Sequence, residues 1–300
     1  MSQAVIFLAR GLGGGRDAAR SFFDSYRRYA AGVPHELIVL MKGWDGVPGR
    51  EDVVRMAEEF SASIMELPDD GYDWGAYMRA GSRLPHEWFC FLNTHSRILA
   101  PDWLAKMRRA AEPPQVAVAG ATGSLGSQVP SLRLMPSRLR LIFSRKSPLM
   151  ALLTAVYIFA EYPWERVRYL LNFAPVPNPF LRTNAFLMRR EDFLAFCKTR
   201  PVPRRKRETL IIENGRRSLT RFFQAAGRVC VVAGADGRAF LPAEWAESGT
   251  FCVPGQHNLL IADNRTEAYE AASLPLRRFL EDCNWGRVLS SAGALRQSAE

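Results

Sequence analysis

Two neighbouring segments, RTNAFLMRREDF (182–193) and IIENGRRSLTRFFQAAGRVCVV (211–232), decide the fold of this chain. The first begins with a small polar turn, continues as an apolar strand and ends in the basic and acidic residues typical of a helix start. The second contains a solitary acid, Glu213, which we expect to open an amphipathic helix that leads into a Val-rich strand. Together they predict alternating strands and helices.

Apolar segments nearer the N-terminus continue this alternation. Residues 4–10 and 36–41 are predicted to be buried strands, and residues 16–31 between them have apolar side chains at helical spacing. Two further apolar segments, 88–99 and 115–124, complete the pattern. We therefore predict an α/β protein with a mostly parallel central sheet flanked by helices.

The order of these motifs resembles the GT-A glycosyltransferases. The motifs that carry the resemblance are VIFLARGLGGG (5–15), DDGYDWGAY (69–77), FLNTHSRILAPDWL (91–104), VAGATGS (118–124), PNPFLRTNAF (177–186) and GQHNLLIADNRT (255–266). They look like a bacterial subgroup related to rhamnan-synthesis and O-antigen transferases, over about residues 4–270. The resemblance implies the GT-A fold and transfer of a sugar from a nucleotide-sugar donor to a glycan or lipid-linked glycan acceptor of the O-antigen or capsule type.

The resemblance also implies roles for individual residues near the decisive segments. In inverting members the Asn-Ala-Phe segment lines the donor-sugar pocket, which assigns Thr183 and Asn184 to that pocket. The acid of their "ED" motif is the general base, and here it corresponds to Glu213. The usual following Asp is replaced by Asn214, but one carboxylate suffices for a base. The structural alternative is that Glu213 only caps a helix over 216–226.

Further donor contacts are implied where the first strands end. Arg10 precedes the glycine-rich turn GLGGG (11–15), where this class contacts the nucleotide and where glycine backbone can approach a phosphate closely. Asp73 would bind the base or the ribose, and Arg79 the diphosphate. The alternative for Asp73 is that it caps a helix beginning at Trp74.

The resemblance divides the chain into a GT-A-like catalytic domain over 1–240 and a C-terminal extension over 241–300. A helical insertion at 125–177 belongs to the acceptor side of the catalytic domain. The extension is expected to fold back over the donor, which makes His257 a donor contact. Arg221 lies where relatives place residues that face the diphosphate.

The metal-binding motif is where this chain departs from the family. A DxD motif holds Mg²⁺ or Mn²⁺ against the leaving diphosphate, but the matching residues here are Asn93, Thr94 and His95. Asn93 and His95 are therefore expected as donor contacts. Either cationic side chains replace the metal, or His95 and His257 form a weak Mn²⁺ site, or His95 is only a hydrogen-bonding residue at a strand end. Loss of the motif also leaves open a noncatalytic binding or scaffold protein of the glycan-assembly machinery.

Composition limits the partners. The net charge of +10 favours a polyanionic partner, and no zinc-finger spacing, RNP-type motif or helix-turn-helix supports nucleic acid. A nucleotide sugar and an anionic membrane surface account for the same charge. The five widely spaced cysteines fit reduced thiols in a cytosolic protein.

The insertion raises the question of membrane contact. Its apolar middle, PLMALLTAVYIFA (148–160), lies between basic clusters and is too short to span a bilayer. It is either an interfacial helix or an ordinary core helix. No basic leader with a cleavage pattern precedes the first strand. We therefore expect a cytoplasmic protein that either stays in solution or associates peripherally with the inner face of the cytoplasmic membrane.

Overall fold

An eight-stranded sheet organises the protein, which is described here by a computed structural model covering residues 2–286. The strands, including four that lie outside the large sheet, are β1 (Gln3–Arg10), β2 (Glu36–Lys42), β3 (Ser63–Leu67), β4 (Trp88–Leu92), β5 (Arg97–Ile98), β6 (Val116–Gly120), β7 (Gly123–Ser124), β8 (Phe180–Leu181), β9 (Ala185–Arg189), β10 (Val229–Ala233), β11 (Ala239–Phe240) and β12 (Ile261–Ala262). The helices are α1 (Gly15–Arg28), α2 (Arg50–Glu58), α3 (Tyr72–Arg83), α4 (Trp103–Ala111), α5 (Met135–Arg145), α6 (Pro148–Leu170), α7 (Arg190–Lys198), α8 (Lys206–Asn214), α9 (Leu219–Ala225), α10 (Asn264–Glu270) and α11 (Leu274–Trp285).

The sheet has the order β11-β10-β6-β9-β4-β1-β2-β3. Strands β1 to β4 form parallel pairs, as do β6 and β10. Strand β9 lies antiparallel between β4 and β6, and β11 is an antiparallel edge strand. The predicted α/β class, with a mainly parallel sheet, flanking helices and a helical insertion, is therefore confirmed.

The central strands are buried on both faces, because helices cover the sheet from either side. Alternate residues of β1 join different clusters: Ile6 packs on the side of α3 and α7, and Phe7 on the side of α1 and α4. The ring of Phe7 stacks on Phe22 at 3.8 Å between centroids. These strands consequently appear in the sequence as continuous apolar segments, which made them predictable.

The helix next to the candidate base differs from the prediction. Glu213 lies in the last turn of α8, so it neither opens nor caps the following helix. That helix, α9, is capped by Ser218, whose hydroxyl accepts a hydrogen bond from the backbone of Arg221. The start of α8 is instead set by Glu208, whose carboxylate accepts the backbone N–H groups of Arg204 and Arg205. The sequence pattern assigned the wrong acid to the helix start.

Helix α3 also begins earlier than the capping alternative requires. Its first residue is Tyr72, and the residue before it is Gly71, whose φ of 69° lies in the left-handed region that glycine adopts readily. Asp73 is therefore inside the first turn rather than at its cap. The alternative that Asp73 caps a helix beginning at Trp74 is wrong.

The insertion contains α5 and the 23-residue α6. Helix α6 is longer than the apolar segment 148–160, and of its side chains only those of Ala151 and Ala155 are buried. An ordinary core helix would bury its large apolar residues, so that alternative is wrong. Over residues 2–286 no helix has the length and apolar character needed to cross a bilayer.

Candidate functional site

The carboxyl ends of β1, β2, β3 and β4 lie at one edge of the sheet because these strands are parallel. The chain passes from β1 outward to β2 and β3 and then returns to place β4 on the other side of β1. Such a reversal opens a crevice at the carboxyl ends of the two strands beside it, and open α/β sheets bind ligands there. Strand β9 runs the opposite way, so its amino end reaches the same edge.

The glycine-rich turn after β1 meets the segment after β4 at this crevice. A Cβ atom placed on Gly14 would lie 2.7 Å from Thr94 Cγ2 and 3.3 Å from His95 Cε1. Only glycine fits this approach without displacing its neighbours. The structure therefore brings two predicted donor-binding elements, GLGGG (11–15) and the Asn-Thr-His segment, into contact.

Hydrogen bonds join the ends of β4, β6 and β9. The backbone N–H of Asn93 donates to the carbonyl of Asn184 at 2.9 Å, and the hydroxyl of Thr122 donates to Asn184 Oδ1 at 2.8 Å. The Asn93 Oδ1 atom accepts from the backbone of His95 and from the hydroxyl of Ser96. Asn184 is buried, and its Nδ2 donor has no protein partner. A buried amide donor in that state is suited to a ligand acceptor.

Glu213 reaches the same edge through Thr183, whose hydroxyl donates to Glu213 Oε1 at 2.8 Å. Burial raises the pKa of Glu213, while the Thr183 hydrogen bond and the charge of Lys206 act in the opposite direction. The charge of Asp73 raises this pKa further. Glu213 nevertheless keeps partial exposure. A partly exposed carboxylate with a raised pKa can accept a proton from a bound hydroxyl.

Arg10 and Arg79 are both held by the acidic loop after β3. Arg10 Nε lies 3.2 Å from Asp69 Oδ1, and Arg79 Nη1 lies 2.7 Å from Asp70 Oδ1. Both arginines remain partly exposed. Each arginine is paired with an acid, which reduces the positive charge that it could offer to a diphosphate.

Lys42, at the end of β2, holds this loop by hydrogen bonds to its backbone. The sequence analysis did not identify it. Its ammonium group is buried and donates to the carbonyls of Asp70 and Tyr72, both at 2.5 Å. Burial lowers the pKa of Lys42, and the charge of Asp69 acts against that shift. The available signal was a lysine closing an otherwise apolar strand, ELIVLMK (36–42).

Arg221 lies close to the C-terminal end of the Glu213 helix. Its Nη2 atom donates to Asn178 Oδ1 at 3.1 Å, while its buried Nε atom has no partner. Asn178 in turn donates to the carbonyl of Asn214 at 2.7 Å. Asn178 thus links Arg221 to Asn214, the residue that follows Glu213, and the guanidinium of Arg221 is directed at Asn178.

The C-terminal extension packs against this edge of the sheet. Strand β12 pairs with β5, just after His95, and Asp263 forms a buried ion pair with Arg182. His257 is exposed and lies beside Gly249. Arg182 and Asp263 sit inside motifs recognised in the sequence, LRTNAF and IADNRT, yet nothing in the pattern marked them as partners.

The residues present do not fit a divalent cation held by carboxylates. Within residues 2–286 no three His, Cys, Asp or Glu side chains group together as a metal site. Asn93 Oδ1 is already engaged by two protein donors. His95 lies beside Gly14 and His257 beside Gly249, so the two histidines contact different segments.

Comparisons with known proteins were made for the whole chain. No protein-family model and no curated protein sequence matches it. Solved structures with a similar arrangement include a mannosyltransferase from Pyrobaculum calidifontis bound to GDP-mannose and Mn²⁺, with 16% identity and a TM-score of 0.33. That likeness covers 39% of this chain and 34% of the mannosyltransferase, so this chain spans about a third of that protein.

Two other solved structures cover more of the chain. The 4-diphosphocytidyl-2C-methyl-D-erythritol synthase from Anaerococcus prevotii has 12% identity and a TM-score of 0.43, over 80% of this chain and 90% of that one. Glucosyl-3-phosphoglycerate synthase from Mycobacterium tuberculosis, bound to Mn²⁺, UDP and glucosyl-3-phosphoglycerate, has 15% identity and a TM-score of 0.34, over 63% and 57%. Likenesses of this degree assign neither an activity nor a ligand to this chain.

Proposed function

We propose that this chain is a GT-A-fold glycosyltransferase that moves a sugar from a nucleotide-sugar donor to a surface-glycan acceptor of the O-antigen or capsule type, with inversion at the anomeric carbon. The observation that carries the proposal is the Thr183–Glu213 hydrogen bond at the edge where the parallel strands end. This hydrogen bond holds a carboxylate with a raised pKa near the strand ends where open α/β sheets bind their ligands, which supports the proposal.

Glu213 would act as the general base. Its carboxylate takes the proton of the acceptor hydroxyl, whose oxygen forms a bond to the anomeric carbon of the donor. The bond from that carbon to the diphosphate breaks, and the nucleoside diphosphate leaves with the bonding electron pair. The raised pKa makes Glu213 a stronger base than an ordinary exposed glutamate once it is ionised.

The donor would lie along the strand ends. The unpartnered Nδ2 of Asn184 offers a hydrogen bond to a sugar hydroxyl, and the Gly14 turn allows a phosphate to approach the backbone. Asp73 and Arg79 would contact the nucleoside and the diphosphate, respectively. Charge on the leaving diphosphate would be met by arginine and lysine side chains bordering the crevice, with Arg10 and Arg221 among them.

A noncatalytic scaffold or binding role is the second candidate, and one observation favours it. The position of the family's metal motif is occupied by Asn93, whose oxygen is consumed by internal hydrogen bonds. A scaffold would retain the fold and the crevice but would not transfer sugar.

The first test is thermal stability of the purified protein with a panel of UDP-, GDP- and dTDP-sugars. A rise in melting temperature with one donor family supports the transferase, since ligands that bind only the folded state stabilise it. No response to any nucleotide or nucleotide sugar would favour the scaffold.

The second test is transfer by Glu213→Gln with the donor found in that panel. We expect unchanged donor binding and transfer lowered by about two to four orders of magnitude. Glu208→Gln, in the same helix but at its exposed start, is the matched control and should keep wild-type turnover. Equal turnover in wild type and Glu213→Gln would remove Glu213 from the mechanism.

A further inference from the structure

Helix α6 carries a continuous row of exposed apolar side chains along one side. Its members, here called the α6 stripe, are between 54% and 79% exposed: Leu149, Leu152, Leu153, Val156, Trp164, Val167 and Leu171, the last being the residue after the helix. Six of them, Leu149, Leu153, Val156, Trp164, Val167 and Leu171, follow one another at three, four or eight residues and so lie on one helical face, with Leu152 at its edge. The opposite face holds the helix to the protein, with Ala155 buried and Arg166 bonded to the carbonyl of Pro130.

The α6 stripe is too large to be ordinary surface variation. A helix of 23 residues extends about 35 Å at 1.5 Å per residue, and the stripe runs along its whole length. Scattered exposed apolar residues need no explanation, but a contiguous patch of this extent marks a surface that is covered by a partner.

The charge around the stripe indicates what covers it. Residues 131–172 contain seven basic and two acidic side chains, a net charge of +5 out of +10 for the whole chain. Arg145 and Lys146, at the turn between α5 and α6, are exposed beside Leu149. Arg168 is exposed on the flank of the stripe near Trp164. The partner must therefore combine an apolar interior with an anionic surface.

A bilayer containing anionic lipid has both properties. A nucleic acid would meet the charge but has no apolar surface for leucines and valines. A second copy of this chain would bury the stripe but would bring two positively charged surfaces together. We propose that α6 lies in the headgroup region of an anionic bilayer, with the α6 stripe inserted and the flanking Arg145, Lys146 and Arg168 bound to lipid phosphates.

Trp164 offers a direct readout of this insertion. All seven tryptophans lie within the residues that the structure describes, and the six others are at most 6% exposed, whereas Trp164 is 74% exposed. Vesicles that contain lipids brominated on the acyl chain should quench Trp164 emission and shift the protein's spectrum to the blue. In Trp164→Phe both responses should disappear while binding persists.

Co-sedimentation measures the binding itself. Wild-type protein should sediment with phosphatidylcholine vesicles containing about one-third phosphatidylglycerol, and not with phosphatidylcholine alone. Binding should fall at high salt, because charge attraction is screened within about 10 Å at 0.1 M. The double variant Leu153→Glu, Val156→Glu should lose binding at least about tenfold, since its acids face both lipid phosphate and acyl chains. Arg145→Glu, Lys146→Glu should lose the preference for phosphatidylglycerol.

Matched controls separate these effects from general changes in charge or folding. The double variant Arg20→Glu, Arg109→Glu makes the same change in charge as Arg145→Glu, Lys146→Glu, but at exposed positions of α1 and α4. Leu241→Glu introduces one acid at an exposed apolar residue outside the insertion. Both should bind vesicles as the wild type does. Each variant's circular dichroism and melting temperature report whether it folds.

Several results would overturn the proposal. One is wild-type protein that stays in the supernatant with phosphatidylglycerol vesicles at low salt. Another is a Leu153→Glu, Val156→Glu variant that binds as well as wild type. A dimer in sedimentation velocity that the same variant abolishes would assign the stripe to a second copy. Donor binding without vesicles is independent of this surface, so a failure here leaves the proposed transfer reaction intact.

Discussion

The guanidinium of Arg182 and the carboxylate of Asp263 form an ion pair inside the protein, with Nη2 2.6 Å from Oδ2 and side chains only 10% and 2% exposed. The pair joins the turn before β9 to the segment before α10. The guanidinium also lies 3.9 Å from the ring centroid of Phe251, in the C-terminal extension. These contacts hold the extension to the edge of the sheet that carries Thr183 and Glu213.

Removing Arg182 should therefore be costly. Arg182→Met should lower the free energy of unfolding by about 3–5 kcal/mol, because it leaves the buried charge of Asp263 without its partner. Urea denaturation at neutral pH measures the change. Arg50→Met breaks the surface pair with Glu66 and should change stability by less than about 1 kcal/mol. Similar losses in the two variants would contradict the assignment of Arg182 as a buried anchor.

Gly81 in α3 is a second position where packing overrides helix propensity. A Cβ atom there would lie 2.4 Å from Cε1 of Phe193 in α7. Gly81→Ala should destabilise the protein by up to about 2 kcal/mol, because the overpacking cost of about 1–3 kcal/mol is offset by a gain of only about 1 kcal/mol from alanine in a helix. Thermal or urea denaturation measures the sign.

The partner residue supplies the control for this prediction. In a Phe193→Leu background the ring is gone, so adding Gly81→Ala should be neutral or stabilising. A coupling free energy near zero between the two substitutions would show that the ring does not limit residue 81.

The sequence predicted what depends on continuous apolar segments and missed what depends on contacts between distant residues. Strands such as β1 and β2 were predictable because burial on both faces leaves uninterrupted runs like AVIFLA and LIVLM. The position of Glu213 in its helix was not, because the pattern does not tell which of two nearby acids, Glu208 or Glu213, sets the helix start. The structure shows that Glu208 does.

In the candidate site too, residues within strand-end motifs were predictable, whereas residues held by distant partners were not. Thr183, Asn184 and Asn93 were placed at strand ends by the motifs, and the structure brings them to one edge. Lys42 and Asp263 were missed because their partners are backbone carbonyls or a residue 81 positions away. Such long-range pairs leave no periodic trace in a single sequence.

The raised pKa of Glu213 predicts a stability difference that depends on pH. Its folded pKa lies above the ordinary value of 4.5, chiefly because of burial, so the stabilising contribution of the bound proton is present below 4.5 and is lost as the pH rises through the folded pKa. Above pH 4.5 the burial of this carboxyl group therefore costs stability. Glu213→Gln should therefore melt at a higher temperature than wild type at neutral pH, and the gap should shrink as the pH falls towards 4.5.

Glu208→Gln is the opposite control for this titration. Backbone hydrogen bonds, chiefly the one from Arg204, lower the pKa of Glu208. Its carboxylate therefore contributes stability at pH values above the ordinary pKa of 4.5, and this contribution is lost as the pH falls through the lowered pKa. Glu208→Gln should therefore be less stable than wild type at neutral pH. A pH-independent gap for Glu213→Gln would show that the carboxylate does not titrate in the way its burial implies.

Donor binding should depend little on divalent metal. Asn93 Oδ1 is engaged by His95 and Ser96, and no carboxylate replaces it at the end of β4, so a hard cation finds no anionic ligand pair there. Calorimetry with the donor in EDTA and then in excess Mn²⁺ should give similar affinities, while an arginine such as Arg10 carries part of the diphosphate charge. A large gain in affinity with Mn²⁺ that His95→Ala abolishes would instead establish a histidine-containing metal site beside the glycine-rich turn.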